Sequence, residues 1–289
     1  MPKFFLKIVE TWRKLMKTDG HIHSPYCPHG SDDSFEQYID TAISLGYQEI
    51  SFTEHAPLPT GFIDPTPDKD SGMNPDFLEP YIADLQKLKI KYKEKIKINI
   101  GLEVDYIIHF ENETTKFLNK FGQFLDDSIL SVHFLHHEGN YYCLDFSVEE
   151  FARIISIYGN VDRVYKSYFE TVQQSILSDL GPYKPNRIGH MTLVHKFQKK
   201  YPCYADFSTD INQILDHIHD KKMTLDYNGA GINKQFCLEP YPPESIAKEA
   251  AKRKIPLIYG SDAHISRDLN QGYSELVPTI TLASPTSTK

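Results

Sequence analysis

Short β-prone runs alternate along this chain with longer stretches in which apolar residues recur at helical spacing. The β-prone runs fall at 17–23 (KTDGHIH), 49–55 (EISFTEH), 97–105 (KINIGLEVD), 128–134 (SILSVHF), 187–191 (RIGHM), 223–228 (MTLDYN) and 256–264 (PLIYGSDAH). Between them lie helix candidates at 34–47, 77–95, 167–180, 207–221 and 243–254, with Ser34 and Ser208 as plausible N-caps. Strand and helix in alternation imply parallel strands joined by helical crossovers, hence an α/β sheet or barrel.

The polar residues at the strand ends favour the barrel. In six of the seven runs a histidine or acidic residue sits at or just past the C-terminal end, the rim on which such barrels carry their sites; the sixth run ends in Asp226, Tyr227 and Asn228. Segments 57–80 and 136–166 are expected as long loops with some added helix, placed as lids over that rim.

Composition narrows the function classes. The 289 residues are 40% hydrophobic and contain no apolar run near the roughly 20 residues that span a bilayer. The N-terminal segment has neither a long apolar stretch nor a small-residue cleavage site, so a cytoplasmic protein is expected, with no membrane partner. Four scattered cysteines, without a C-x-x-C pair, fit reduced thiols better than a disulfide framework. With 39 acidic against 31 basic side chains and a net charge of −8, nucleic acid is a disfavoured partner. Residues 1–15 are expected as an N-terminal extension, with Met16 an alternative initiator, and 281–289 as a flexible Ser/Thr/Pro tail.

His21 and His23, two apart in a strand, share a face and can reach one ion. Asp262 and His264 repeat that spacing at the far end of the chain, beside the first strand if the barrel closes. His29 lies in the loop after the first strand, His55 closes the second, and Glu103, His133 and His190 follow on the third, fourth and fifth. An ionised Glu103 among apolar neighbours needs a cation or a hydrogen-bond network. Oxygen and nitrogen donors suit Zn²⁺, Mn²⁺ or Fe²⁺ without choosing between them. His109, His136, His137, His195, His217 and His219 are weaker candidates, Cys27 is read as a packing residue, and Asp19 as a partner that orients an imidazole.

These residues sit in D-G-H-I-H-S, F-T-E-H, G-L-E-V-D-Y, S-V-H, R-I-G-H and G-S-D-A-H, which in that order resemble the motifs of the PHP (polymerase and histidinol phosphatase) superfamily from about residue 17 to about 275. DGHIHSPYCPHG, SFTEHAPLP, ILSVHFL and LDYNGAGINK followed by EPYPP resemble its histidinol-phosphate phosphatase branch. The resemblance implies a distorted (β/α)7 barrel over 16–280 with three divalent ions at the C-terminal ends of the strands. It assigns His21, His23, Glu103 and Asp262 to one ion, Glu103, His133 and His190 to the second, and His29, His55 and His264 to the third. The chain departs from the pattern at NGAG, where N-T-A-G is expected, and its Ile232-Asn233-Lys234 lacks an arginine of some relatives.

The reaction so implied is hydrolysis of a small phosphate ester, L-histidinol phosphate, to L-histidinol and phosphate, a step of histidine biosynthesis. Phosphate monoesters hydrolyse very slowly unaided, and clustered divalent ions supply the charge neutralisation the reaction needs. Asp262 is the candidate to orient and deprotonate the water, and His264 to assist the leaving alkoxide. Arg187 is the first choice for the phosphate and Lys234 the second, although Arg187 can face the rim beside His190 only if its strand bends or ends early. Two other readings are open: a phosphoesterase of the same superfamily acting on nucleotides or oligonucleotides, and a non-catalytic metal-binding module.

Overall fold

In the computed structural model, which describes residues 17–287, seven parallel strands form one sheet in the order β1-β2-β3-β4-β7-β8-β9. They are β1 (Thr18–Ile22), β2 (Glu49–His55), β3 (Lys97–Asp105), β4 (Asp127–Ser131), β7 (Arg187–Ile188), β8 (Thr224–Asn228) and β9 (Leu257–Gly260). The two edges meet through a parallel bridge between Ile22 and Ala263, with Asp262 N donating to His21 O at 2.7 Å and His23 N to Ala263 O at 3.1 Å. This is the expected seven-stranded barrel, closed at the level of the rim. The extension 1–15 and Met16 lie outside the described residues.

The helices are α1 (Phe35–Ser44), α2 (Leu78–Tyr92), α3 (Glu111–Phe121), α4 (Val148–Tyr158), α5 (Val161–Leu177), α6 (Ser208–Asp220) and α7 (Glu244–Lys252). Several bury an apolar stripe, as α1 does with Phe35, Tyr38, Ile39 and Ala42, and α6 with Ile214, Leu215 and Ile218. Ser34 caps α1 in a reciprocal capping box with Gln37. Ser208 does not cap α6; it is the first helical residue, and Asp206 Oδ1 accepts its N–H at 2.8 Å. The helix expected from 167 begins at Val161 behind Asn160, whose side chain accepts from Arg163 N.

The expected fourth strand is two elements. β4 stops at Ser131, and Phe134 opens an antiparallel hairpin of β5 (Phe134–His137) and β6 (Asn140–Cys143) standing off the barrel. Apolar residues continue from Ile129 and Leu130 through Val132 to Phe134 and Leu135 with no Gly or Pro between them, so the sequence carries no turn signal at the break. At the opposite end of the barrel the described part of the expected tail makes contacts: Ala283 N donates to Leu257 O at 2.8 Å, and Ser284 and Thr286 hydroxyls donate to buried Glu49 at 2.5 and 2.8 Å.

Candidate metal centre

Register decides which rim side chains meet. β2 and β3 pair with His55 opposite Glu103, and Glu103 lies opposite Ile129 on β4. β3 runs on past Glu103 to Asp105, two residues further and on the same face. In β1 the pairing slips between Asp19 and Ile22, a local irregularity beside the two histidines. Asp262 adopts a left-handed backbone (φ 54°), uncommon for a residue with a side chain, and is held there by its bond to His21 O.

Glu103, only 1% exposed, is the hub. Its Oε2 lies 3.1 Å from His55 Nδ1, 3.5 Å from His21 Nε2 and 3.7 Å from His23 Nε2; its Oε1 lies 2.8 Å from His190 Nε2 and 3.7 Å from His133 Nε2. Burial opposes charge on this carboxylate, yet the imidazoles of His21, His133 and His190 hold it well below the usual carboxylate range. Asp262 Oδ1 completes the convergence at 3.1 Å from His23 Nε2 and 3.7 Å from His21 Nε2.

Among the described residues, three groups of donors have their ligand atoms mutually within 4.8 Å: His21, His23 and Asp262; Glu103, His133 and His190; and His23, Cys27, His55 and His264. A cation fits this arrangement. His21 Nε2 is buried without a hydrogen-bond partner, and the Nε2 atoms of His29 and His264 face each other at 3.2 Å. The rim side chains expected from the sequence are thus brought together, with one difference: His29 is exposed at the edge, and the Cys27 sulfur joins His55 and His264.

Carboxylates orient three of the imidazoles through their other nitrogen. His21 Nδ1 donates to Asp226 at 2.9 Å, His23 Nδ1 to Glu54 at 3.1 Å and His133 Nδ1 to Asp105 at 2.7 Å. Each then presents Nε2 to the centre. Asn228 ties the network together, donating to Asp226 at 3.2 Å and to Asp262 at 3.1 Å. A side chain at Gly260 would press on both Asp226 and the His21 Cβ, at 2.5 and 2.6 Å. Asp19 does not touch an imidazole: its Oδ1 accepts from the backbone N–H groups of His21 and Ser261, bracing β1 against the end of β9. The Asp-Tyr-Asn end of the sixth run was the visible signal for Asp226 and Asn228, and the acidic neighbours of His55 and Glu103 were the signal for Glu54 and Asp105.

Beside the donors opens a cavity of about 270 Å³ lined by His29, His55, Asp70, Ser71, His133, Cys143, Asp145, Phe146 and Lys196. Both segments expected as lids contribute to it. Its cation is Lys196, whose ammonium lies 2.9 Å from Asp145 Oδ2. Burial works against that ammonium, but Asp145 raises its pKa above the usual lysine range. Neither residue expected to hold phosphate is there. Arg187 is 1% exposed inside the barrel, donating to Asp127 at 2.5 Å and to Gly20 O at 2.8 Å. Although its strand does end early, Arg187 is the first residue of the two-residue β7, and its guanidinium turns to Asp127 and Gly20 O rather than to the donors at the rim. Gly20 is open where a Cβ would lie 2.1 Å from its guanidinium. Lys234 is exposed in the turn after Ala230–Asn233 and does not line the cavity. A larger cleft of about 990 Å³ lies among α5, α6 and residues 198–208, away from the converging donors.

A PHP domain family model matches residues 19–230, the span that carries most of these side chains. The chain belongs to the PHP domain family. A histidinol-phosphatase of Bacillus subtilis (strain 168) is 46% identical over 261 residues, covering 90% of this PHP chain and 97% of the relative. A crystal structure of a candidate histidinol phosphatase, HisK, from Listeria monocytogenes superposes with TM-score 0.87 at 38% identity, covering 90% of this chain and all of that one. A Lactococcus lactis histidinol phosphate phosphatase, solved with zinc, L-histidinol and phosphate, has TM-score 0.63 at 21% identity over 86% of this chain and 87% of its own, a likeness of fold. Among the described residues no helix is long and apolar enough to cross a membrane.

Proposed function

We propose that this PHP chain is a metal-dependent phosphomonoesterase that hydrolyses L-histidinol phosphate to L-histidinol and phosphate, with three divalent ions held by His21, His23, His29, His55, Glu103, His133, His190, Asp262 and His264, and that it works in the cytoplasm. The observation that carries the reading is the 46% identity to a histidinol-phosphatase across nearly the whole of both chains. The three donor groups around Glu103 support it, because each can hold one cation.

Divalent ions bound there would neutralise phosphoryl charge and make water more acidic. The chain's own groups have separable tasks. Asp262, 18% exposed, borders the centre; burial opposes its charge, but His21 and His23 keep it ionised, so it can orient a water and accept its proton during in-line attack on phosphorus. His264 is pushed well below the usual imidazole range by burial and by neighbouring His23. That suits it to giving a lone pair to a cation rather than a proton to the leaving alkoxide. Lys196 supplies the ammonium for a phosphoryl oxygen, in place of Arg187 and Lys234. Water's oxygen replaces the ester oxygen on phosphorus and the proton taken by Asp262 goes on to the leaving alkoxide, giving L-histidinol, so no phosphorylated enzyme intermediate is needed.

The test is phosphate release from L-histidinol phosphate beside a panel of nucleotides and an oligonucleotide, with metal analysis, for the wild type and His23→Ala. Histidinol phosphate should give the highest kcat/KM, with activity and bound metal lost together in the variant. A higher kcat/KM on nucleotides or on the oligonucleotide selects the other phosphoesterase reading, and full metal loading with no ester hydrolysed selects a binding module.

A further inference from the structure

The loop after β1 turns twice within seven residues. Cys27 N donates to Ser24 O at 3.0 Å and Gly30 N to Cys27 O at 3.2 Å, so Cys27 closes one turn and opens the next. The flanking Pro25 and Pro28 face solvent, while the Cys27 side chain points inward and is 8% exposed. A Cβ at position 30 would lie 2.9 Å from Cys27 Cβ, so glycine there leaves room for this packing. The Cys27 sulfur and one nitrogen each from His23, His55 and His264 all lie within 4.8 Å of one another, and the thiol is free of any disulfide. His23 is already committed to Asp262 and Glu54, and the Cys27 sulfur is within hydrogen-bond reach of its ring. That leaves His55 and His264, with His29 beside His264, sharing a site with sulfur.

We propose that Cys27 is a thiolate donor to the cation held by His55 and His264, which makes this position selective for zinc, cobalt or cadmium over manganese and magnesium. A soft sulfur ligand distinguishes it from the two groups built only of nitrogen and oxygen. On binding, the S–H bond is replaced by a sulfur–metal bond and the proton leaves to water. The inference rests on the metal-centre reading above, and is independent of the substrate.

Cobalt(II) titration of the chelator-treated full chain tests it. Wild type should show a near-ultraviolet sulfur-to-cobalt charge-transfer band that is lost in Cys27→Ser and Cys27→Ala, while the visible bands of cobalt at the other positions persist. Should neither variant fold, Cys143→Ser, Cys203→Ser and Cys237→Ser assign the band by elimination, each being expected to retain it. Cobalt bound by wild type without the band, a band that survives Cys27→Ser, or one lost in any of the other three cysteine variants overturns the proposal. Failure to hydrolyse histidinol phosphate would leave the band untouched, whereas failure to bind cobalt at all would remove the metal centre and this inference together.

Discussion

Asp226 shows what a single buried side chain contributes here. It fixes which nitrogen of His21 faces the centre, and without a carboxylate there the ring would lose both its orientation and part of its basicity. Asp226→Asn should therefore weaken metal binding by about 10- to 100-fold, read by competition with a chromophoric chelator, with little change in the circular dichroism of the metal-free protein. Lys196 is the other test at this scale, since its ammonium is the cavity's cation and Asp145 already restrains it. Lys196→Ala should lower kcat/KM by about two orders of magnitude in steady-state assays, while Lys196→Arg retains most of the activity. Neither role could be read from spacing, because each partner lies tens to hundreds of residues away.

At the scale of elements, β7 contains the sharpest correction. A two-residue strand carries an arginine that, in sequence, stands three places before a rim histidine; in the fold it lies in the barrel interior, paired with Asp127 of neighbouring β4. Arg187→Ala would remove the buried guanidinium that donates to Asp127 and to Gly20 O and should cost about 3–5 kcal/mol in urea unfolding, with KM for the phosphate ester unchanged in whatever fraction folds. Replacing both partners, as Arg187→Met with Asp127→Leu, should recover much of that stability. A rise in KM without loss of stability would restore Arg187 to the phosphate. The lids also resolve into elements: residues 57–77 are largely irregular with one short helical turn at Pro75–Phe77, whereas 136–166 contains most of a hairpin, α4 and the start of α5. Asp64 organises the first lid, accepting from Thr66 and Ser71, and Asp70 O accepts from His29 Nδ1 at 2.9 Å. That loop therefore couples directly to the centre.

For the whole molecule, metal and fold are linked through the charge of the centre. In the metal-free protein burial disfavours a charged His133, but Asp105 and Glu103 outweigh it and lift its pKa from the ordinary 6.5 to about 10. A raised folded-state pKa gives stability that is full below 6.5 and is lost as pH rises through about 10. The melting temperature of chelated protein should fall between those limits. With zinc bound the imidazole must already be neutral, so the loaded protein should show a flatter profile; parallel thermal scans with and without chelator compare the two. Much of this centre was legible in the chain. Period-two alternation places His21 with His23, and the strand-helix order of a parallel barrel brings every strand's C-terminal end to one rim, so the donors, the fold class and the family resemblance followed from local pattern. The partners of those donors did not follow. Which carboxylate meets which imidazole, where Arg187 spends its charge, that Lys196 rather than Lys234 reaches the cavity, and that the Cys27 sulfur turns inward all depend on the register between strands, the slip in β1, the left-handed backbone at Asp262 and two consecutive turns after β1. Those are distances between residues far apart in sequence, and only closure of the barrel sets them.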